Sequence, residues 1–165
     1  MKDKLVFKKY DGTVIEDVQV YVKEWVRENP HGTVTIGCDS QEHARYIKYA
    51  VSIVMHFKDA TGHGHGGHVI DAVFIDNSKN MKSDVYTKLW AETEITIEVA
   101  KMVGNIGRTI KVHLDYNSDE KEYSHVLYNA GIGYVKSLGY EAYGKPYAWA
   151  ASHTADRVAK SGRKN

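Results

Sequence analysis

Thr33-Val-Thr-Ile-Gly-Cys-Asp-Ser-Gln41 is the stretch around which the rest of the chain can be arranged. Val34 and Ile36 alternate with Thr33, Thr35 and Gly37, the period of a strand partly buried in a sheet. Asp39 continues the odd-numbered face at the point where the apolar run gives out. A carboxylate there is either a turn-former or a metal ligand at the end of a strand, and Asp and Ser after strands are common turn chemistry. What the remaining sequence can place beside Asp39 decides between the two.

The bulk numbers narrow the field. A chain of 165 residues is expected to form one domain over 1–165, large enough for a real core. Its 42% hydrophobic and 26% charged residues are ordinary for a globular protein. A formal charge of +1 argues against a histone-like or strongly basic binder and leaves any nucleic-acid contact to a local patch. The lone Cys38 cannot form an intramolecular disulfide; it is expected as a small buried group in the strand, which suits a reducing cytoplasm. No stretch reads as a signal peptide or membrane span, so the expectation is a cytoplasmic protein with no membrane partner.

Around the central stretch, Lys4 to Val14 reads as an extended or turn-containing entry with Asp11-Gly12 as its turn. Val18, Tyr21, Val22, Trp25 and Val26 recur at helical spacing until Asn29-Pro30-His31-Gly32 stops them. Arg45 to Phe57 is a long β-rich run, and His68 to Asp76 resumes as a third strand, so that a three-stranded antiparallel meander is predicted. Between them, Lys58 to His68 reads as a glycine-rich, flexible hairpin tip. Its His63, His65 and His68 are of a type that binds zinc or copper, but that flexibility argues against a preorganised site.

From Ser83 a helix of some five turns is predicted. Leu89, Thr93, Thr96, Ala100 and Val103 form its buried stripe, with Gly104 and Gly107 as terminators. Glu92 lies on the rim of that stripe and can face the sheet, whereas Glu94 and Glu98 fall on a solvated row. Arg108 to Asp115 is a fourth strand, ending like the first in an acid, with Tyr116-Asn117-Ser118 behind it. A helix is expected to begin near Ser118 or Asp119, turn Tyr123, Val126, Leu127 and Ala130 inward, and close at Gly139 after Val135 and Leu138. Tyr140 to Tyr143 suits a fifth strand. Pro146 suits the first turn of a last helix carrying Trp149, Ala150, Thr154, Ala155, Asp156 and Val158, and Ser161 to Asn165 reads as a frayed basic tail.

The order is three strands, helix, strand, helix, strand, helix, after an extra helix. With Gly37-Cys-Asp-Ser-Gln41, His113-Leu-Asp-Tyr-Asn117, Lys145-Pro146 and Ala150-Ala-Ser-His-Thr-Ala-Asp156, it resembles the ribonuclease H-like superfamily, and within it the YkuK-like family of predicted nucleases. The resemblance covers a core of about 33–160 behind an N-terminal extension, 1–32. It implies an α/β fold: a five-stranded mixed sheet, three strands in an antiparallel meander and two parallel, flanked by helices. It also implies a metal-dependent phosphodiesterase using two Mg2+ or Mn2+ ions on RNA or DNA, with Asp39, Glu92, Asp115 and Asp156 as catalytic metal ligands. A small register shift would exchange Glu92 for Glu94.

The chemistry accounts for these residue types. Magnesium takes oxygen ligands and retains water, so carboxylates from different elements must converge with open positions left for phosphate. Two such ions about 3.5 to 4 Å apart activate a water and stabilise the leaving oxygen. Ser40, Gln41 and Asn117 suit either strand-end capping or contact with substrate phosphate. Lys145 suits a phosphate contact at a helix N-terminus. His153 is either a surface residue or a proton shuttle near Asp156. The rival reading is a non-catalytic nucleic-acid-binding or protein-interaction module on the same fold. Exposed edges and many tyrosines permit a homodimer without requiring one.

Overall fold

Thr33 to Glu42 forms one continuous strand, β2, whose two faces are covered by different layers. The computed structural model describes residues 5–77, 84–119, 121 and 125–160. Within them the chain runs β1 (Lys8–Lys9), α1 (Val18–Glu28), β2 (Thr33–Glu42), β3 (Ile47–Lys58), β4 (Gly64–Asp76), α2 (Val85–Val103), β5 (Lys111–Asn117), α3 (His125–Ser137) and β6 (Glu141–Lys145). A π-helical stretch, Ala150–Ala155, then runs into α4 (Asp156–Lys160). The strands form one sheet in the order β1-β4-β3-β2-β5-β6. Strands β2, β3 and β4 make the predicted antiparallel meander, while β2–β5 and β5–β6 are parallel pairs, which need the crossovers that α2 and α3 supply.

The sheet therefore has six strands instead of the five expected. The extra one, β1, is a two-residue edge pairing Lys8 with Asp71 and Lys9 with Ile70, too short for any alternation to reveal it. The turn at Asp11-Gly12 lies where expected, with Gly12 at φ 88°.

Even-numbered residues of β2 and β5 face a layer made of α1, α2 and α3. Val34, Ile36, Cys38, Val112, Leu114 and Tyr116 are all buried there, with Cys38 only 1% exposed. Asp17 caps α1 by accepting from the Val20 amide at 2.9 Å, and Asp84 caps α2 by accepting from the Thr87 amide at 2.8 Å. The expected start of α2 at Ser83 lies outside the described residues. The odd-numbered face of β2 carries the π-helical stretch and α4, with a small second core of Ala50, Val73, Val158 and Ala159 beneath them. Buried Lys48 donates to the Val158 carbonyl at 3.1 Å and holds α4 against β3.

Three local expectations need correction. The hairpin tip is shorter than its composition predicts, because β4 begins at Gly64 and its glycines let β3 side chains lie across it; a Cβ at Gly67 would come within 2.9 Å of the His56 ring. His65 stacks on Phe57 at 5.9 Å, and His68 Nε2 bonds the Tyr21 hydroxyl at 2.7 Å, tying α1 to the sheet. In α3 the buried face is rotated from the one expected: Gly131 and Val135 are buried, Val126 is 71% exposed, and Ala130 also faces out. Gly131 sets this face, since any Cβ there would overlap the Tyr116 ring. The expected start near Ser118 gives way to a bend at Asp119, and Tyr123 lies outside the described residues. Pro146 sits in a turn after β6, before the last helix and not in its first turn. The basic tail, Ser161 to Asn165, also lies outside the described residues. No helix among the described residues is long and apolar enough to cross a membrane.

Candidate active site

Asp39 lies on β2 and Asp115 on the adjacent parallel strand β5. Parallel pairing of Gly37 with His113 sends both acids out two residues further along the same face. Asp156, the first residue of α4, comes down onto that face and lies within hydrogen-bonding reach of Asp39. Burial and the neighbouring charges of Asp115 and Asp156 drive the Asp39 carboxyl from its ordinary 3.8 up to about 7.

Glu92 reaches the cluster from the other layer. It is 4% exposed on α2, and its Oε1 accepts a 2.6 Å hydrogen bond from the Ser40 hydroxyl. Its Oε2 is buried and has no hydrogen-bond partner. Burial raises this carboxyl to about 8 against the Ser40 hydrogen bond, with Asp39 and Asp115 adding to the rise. Glu94, two residues on, is exposed. The rim position that the helical spacing assigns to Glu92 is the one that looks into the sheet.

Two lysines supply positive charge. Lys145, at the end of β6, stands 2.7 Å from Asp115 Oδ1, and Lys160 holds Asp156 at 2.6 and 2.9 Å. Lys160 carries no motif signal, and only its i, i+4 spacing from Asp156 could have drawn attention to it. Among the described residues, no three His, Cys, Asp or Glu side chains are gathered tightly enough to hold a metal ion as they stand. The donor set nevertheless fits a hard divalent cation: all four groups are carboxylates, one with a buried unpartnered oxygen and two made reluctant to ionise by burial and by neighbouring acids.

The other expected residues divide. Ser40 orients Glu92. Asn117 Oδ1 accepts from the Asp119 amide at 3.0 Å, the strand-end capping that was one of its two readings. Gln41 is half-buried on the Asp39 face, and His153 is exposed on the π-helical stretch.

A family model described as Ribonuclease H-like matches residues 13–160. The chain belongs to the ribonuclease H-like family. No curated protein and no solved structure matches it. Membership points to a nuclease-like or nucleic-acid-related role. Ribonuclease H-like nucleases generally use divalent metals.

One feature of this ribonuclease H-like chain had no signature in the sequence. The Ala150 amide donates to His113 Nδ1 at 3.1 Å, pinning the start of the π-helical stretch to β5. That anchor determines where the stretch enters, and Asp156 follows directly from it. π-Helical segments are rare and concentrate at functional sites.

Proposed function

We propose that this chain is a divalent-metal-dependent nuclease that hydrolyses phosphodiester bonds of RNA or DNA, with Asp39, Glu92, Asp115 and Asp156 holding Mg2+ or Mn2+. One observation carries the reading. Acids from four separate elements approach one another on a mostly buried site, and Asp39 and Glu92 are left short of compensating charge or hydrogen bonds. Such an arrangement costs stability unless something cationic repays it. Two bound cations supply activation of the attacking water and stabilisation of the leaving oxygen.

The chain's own residues do the positioning. Ser40 fixes one oxygen of Glu92 and leaves the other buried and without a partner. Lys145 neutralises Asp115 until an incoming phosphate offers it a second anion, the role of a phosphate contact. Gln41 and Asn117 stand beside the two strand-end acids as hydrogen-bond donors to substrate. His153, exposed one turn before Asp156, can exchange a proton with solvent.

The test is cleavage of single-stranded, duplex, hybrid and branched substrates with Mg2+ or Mn2+. Asp39→Asn, Asp115→Asn and Glu92→Gln should each lose activity by about 100-fold or more, while Glu94→Gln keeps it. Cleavage that survives Asp39→Asn and Asp115→Asn would overturn the assignment. Binding without cleavage by any preparation would favour a non-catalytic module instead.

A further inference from the structure

A second concavity, of about 320 Å³, opens on the same face of the sheet as the carboxylates, nearer the start of β2 and β5. Thr35 and His113 belong to its lining. Thr35 precedes Asp39 by four residues on one strand face, about 13 Å at the rise of a β-strand. His113 precedes Asp115 by two.

The walls are fixed in place. Trp149 stacks on His56 at 4.6 Å and 21° and stands edge-on to His113 at 5.0 Å and 90°. The His113 ring is held by the Ala150 amide, which makes Nδ1 the acceptor and leaves the proton on Nε2. Positive charge in the lining comes from Lys58 and Lys111, and among the described residues no acid lines the cavity. Lys111 is only loosely engaged, 3.9 Å from Glu141 and 5.7 Å over the Tyr143 ring. Tyr147 lines the opening with its side chain 70% exposed. Of these groups His113 also serves the carboxylate cluster, through its anchor to Ala150, whereas Tyr147, Lys58 and Lys111 have no part in placing the acids.

A flat ligand with a π-face and an attached anion matches this lining. Bases stack on aromatic side chains whatever their identity, and lysines take phosphate. Bases inside a duplex have their faces covered, so only an unpaired base can lie against Tyr147. We propose that this cavity is a nucleotide subsite for single-stranded nucleic acid, taking one unpaired base against Tyr147 with its phosphate on Lys58 and Lys111. The choice of nucleic acid rests on the nuclease reading above, and the subsite would hold the strand a few nucleotides away from the acids.

Fluorescence anisotropy with a labelled ten-nucleotide single strand, its duplex and a nucleoside monophosphate tests this, in chelator so that no cleavage occurs. Tyr147 is exposed, so Tyr147→Ala should melt like the parent. It should weaken single-strand binding about fivefold or more and leave duplex binding unchanged. Lys58→Gln with Lys111→Gln should weaken binding and flatten its dependence on salt. A strand bound at least about tenfold more tightly than the monophosphate supports a polymeric ligand. A monophosphate bound equally well overturns that assignment. Single-strand binding that none of these changes alters, or that is absent from the parent, overturns the subsite. Loss of strand binding in the variants with no cleavage of any substrate would retire the nuclease reading and keep the subsite. Asp39-dependent cleavage with strand binding unaffected would do the opposite.

Discussion

Replacing Glu92 with glutamine should stabilise the metal-free protein, and the gain should grow with pH. In the folded chain burial lifts this carboxyl from 4.5 to about 8. A raised folded value means that the native state binds more protons than the unfolded chain between those limits. The contribution of Glu92 is therefore intact below about pH 4.5 and is lost as pH climbs toward 8. At about 1.4 kcal/mol per pH unit the accumulated loss at pH 8 is on the order of 5 kcal/mol. Glutamine has nearly the same shape, keeps an oxygen for the Ser40 hydroxyl and carries no charge to desolvate. For a chain of this size the difference corresponds to roughly 10 °C or more in Tm. Thermal or urea unfolding of both proteins in chelator, at intervals from pH 5 to pH 8, reads it directly. Taking the difference between the two cancels titrations that do not interact with Glu92, while its coupling to Asp39 and Asp115 stays in the difference as part of what is measured. A constant or shrinking difference across that range would show that Glu92 is not held as an unwilling anion, and the argument from its unpartnered oxygen would fail. Adding Mg2+ should raise the Tm of the parent more than that of Glu92→Gln.

Three further outcomes follow from the packing. Gly131→Ala forces a methyl group into the Tyr116 ring, which hydrogen bonds to Thr93 and Leu89 hold in place, and should cost about 1 to 3 kcal/mol in urea unfolding. His113 is held down to about 4, so the unfolded chain binds more protons between 4 and 6.5 and stability falls as pH drops through that window. The loss should approach on the order of 3 kcal/mol by pH 4, and His113→Gln, compared by the same unfolding measurement, should remove most of it. Lys48→Met deletes the donor to the Val158 carbonyl and should speed amide hydrogen exchange through Asp156–Lys160 while leaving α2 protected.

The fold was legible wherever a period was long enough to see. Val34 and Ile36 in β2, and Ile110, Val112 and Leu114 at β5, marked two strands ending in acids, and all five side chains are buried. The stripe on α2 was equally readable and put Glu92, not Glu94, against the sheet. Short or backbone-determined features were not legible. A two-residue edge strand offers no alternation. The buried face of α3 is chosen by Gly131, a residue without a hydrophobic side chain, so counting apolar positions turned Val126 inward when it faces out. Nothing in Ala150-Ala-Ser-His-Thr-Ala155 distinguishes π-helical from α-helical winding, because both expose similar side chains to a similar environment. The lysines at 145 and 160 acquire meaning only when the acids they meet have been placed in space.

The two faces of the sheet explain why the acids can be tolerated at all. On the α1–α3 face Ile36, Cys38 and Leu114 are packed away from water, and the Glu92 carboxylate among them is offset only in part by the Ser40 hydroxyl and the charge of Lys88. On the other face α4 is only five residues long and leaves Asp39, Asp115 and Asp156 partly open, with Lys145 and Lys160 beside them. Glu92 is the single acid that approaches from the dry side, and the strand ends are where it can meet the others. A purely structural role for the cluster would be served better by apolar residues of similar volume, which avoid the desolvation of four ionisable groups. The acids are therefore an argument for a cationic ligand: Lys145 and Lys160 engage Asp115 and Asp156, the charge of Lys88 offsets only part of the rise at Glu92, and the buried Oε2 of Glu92 has no hydrogen-bond partner.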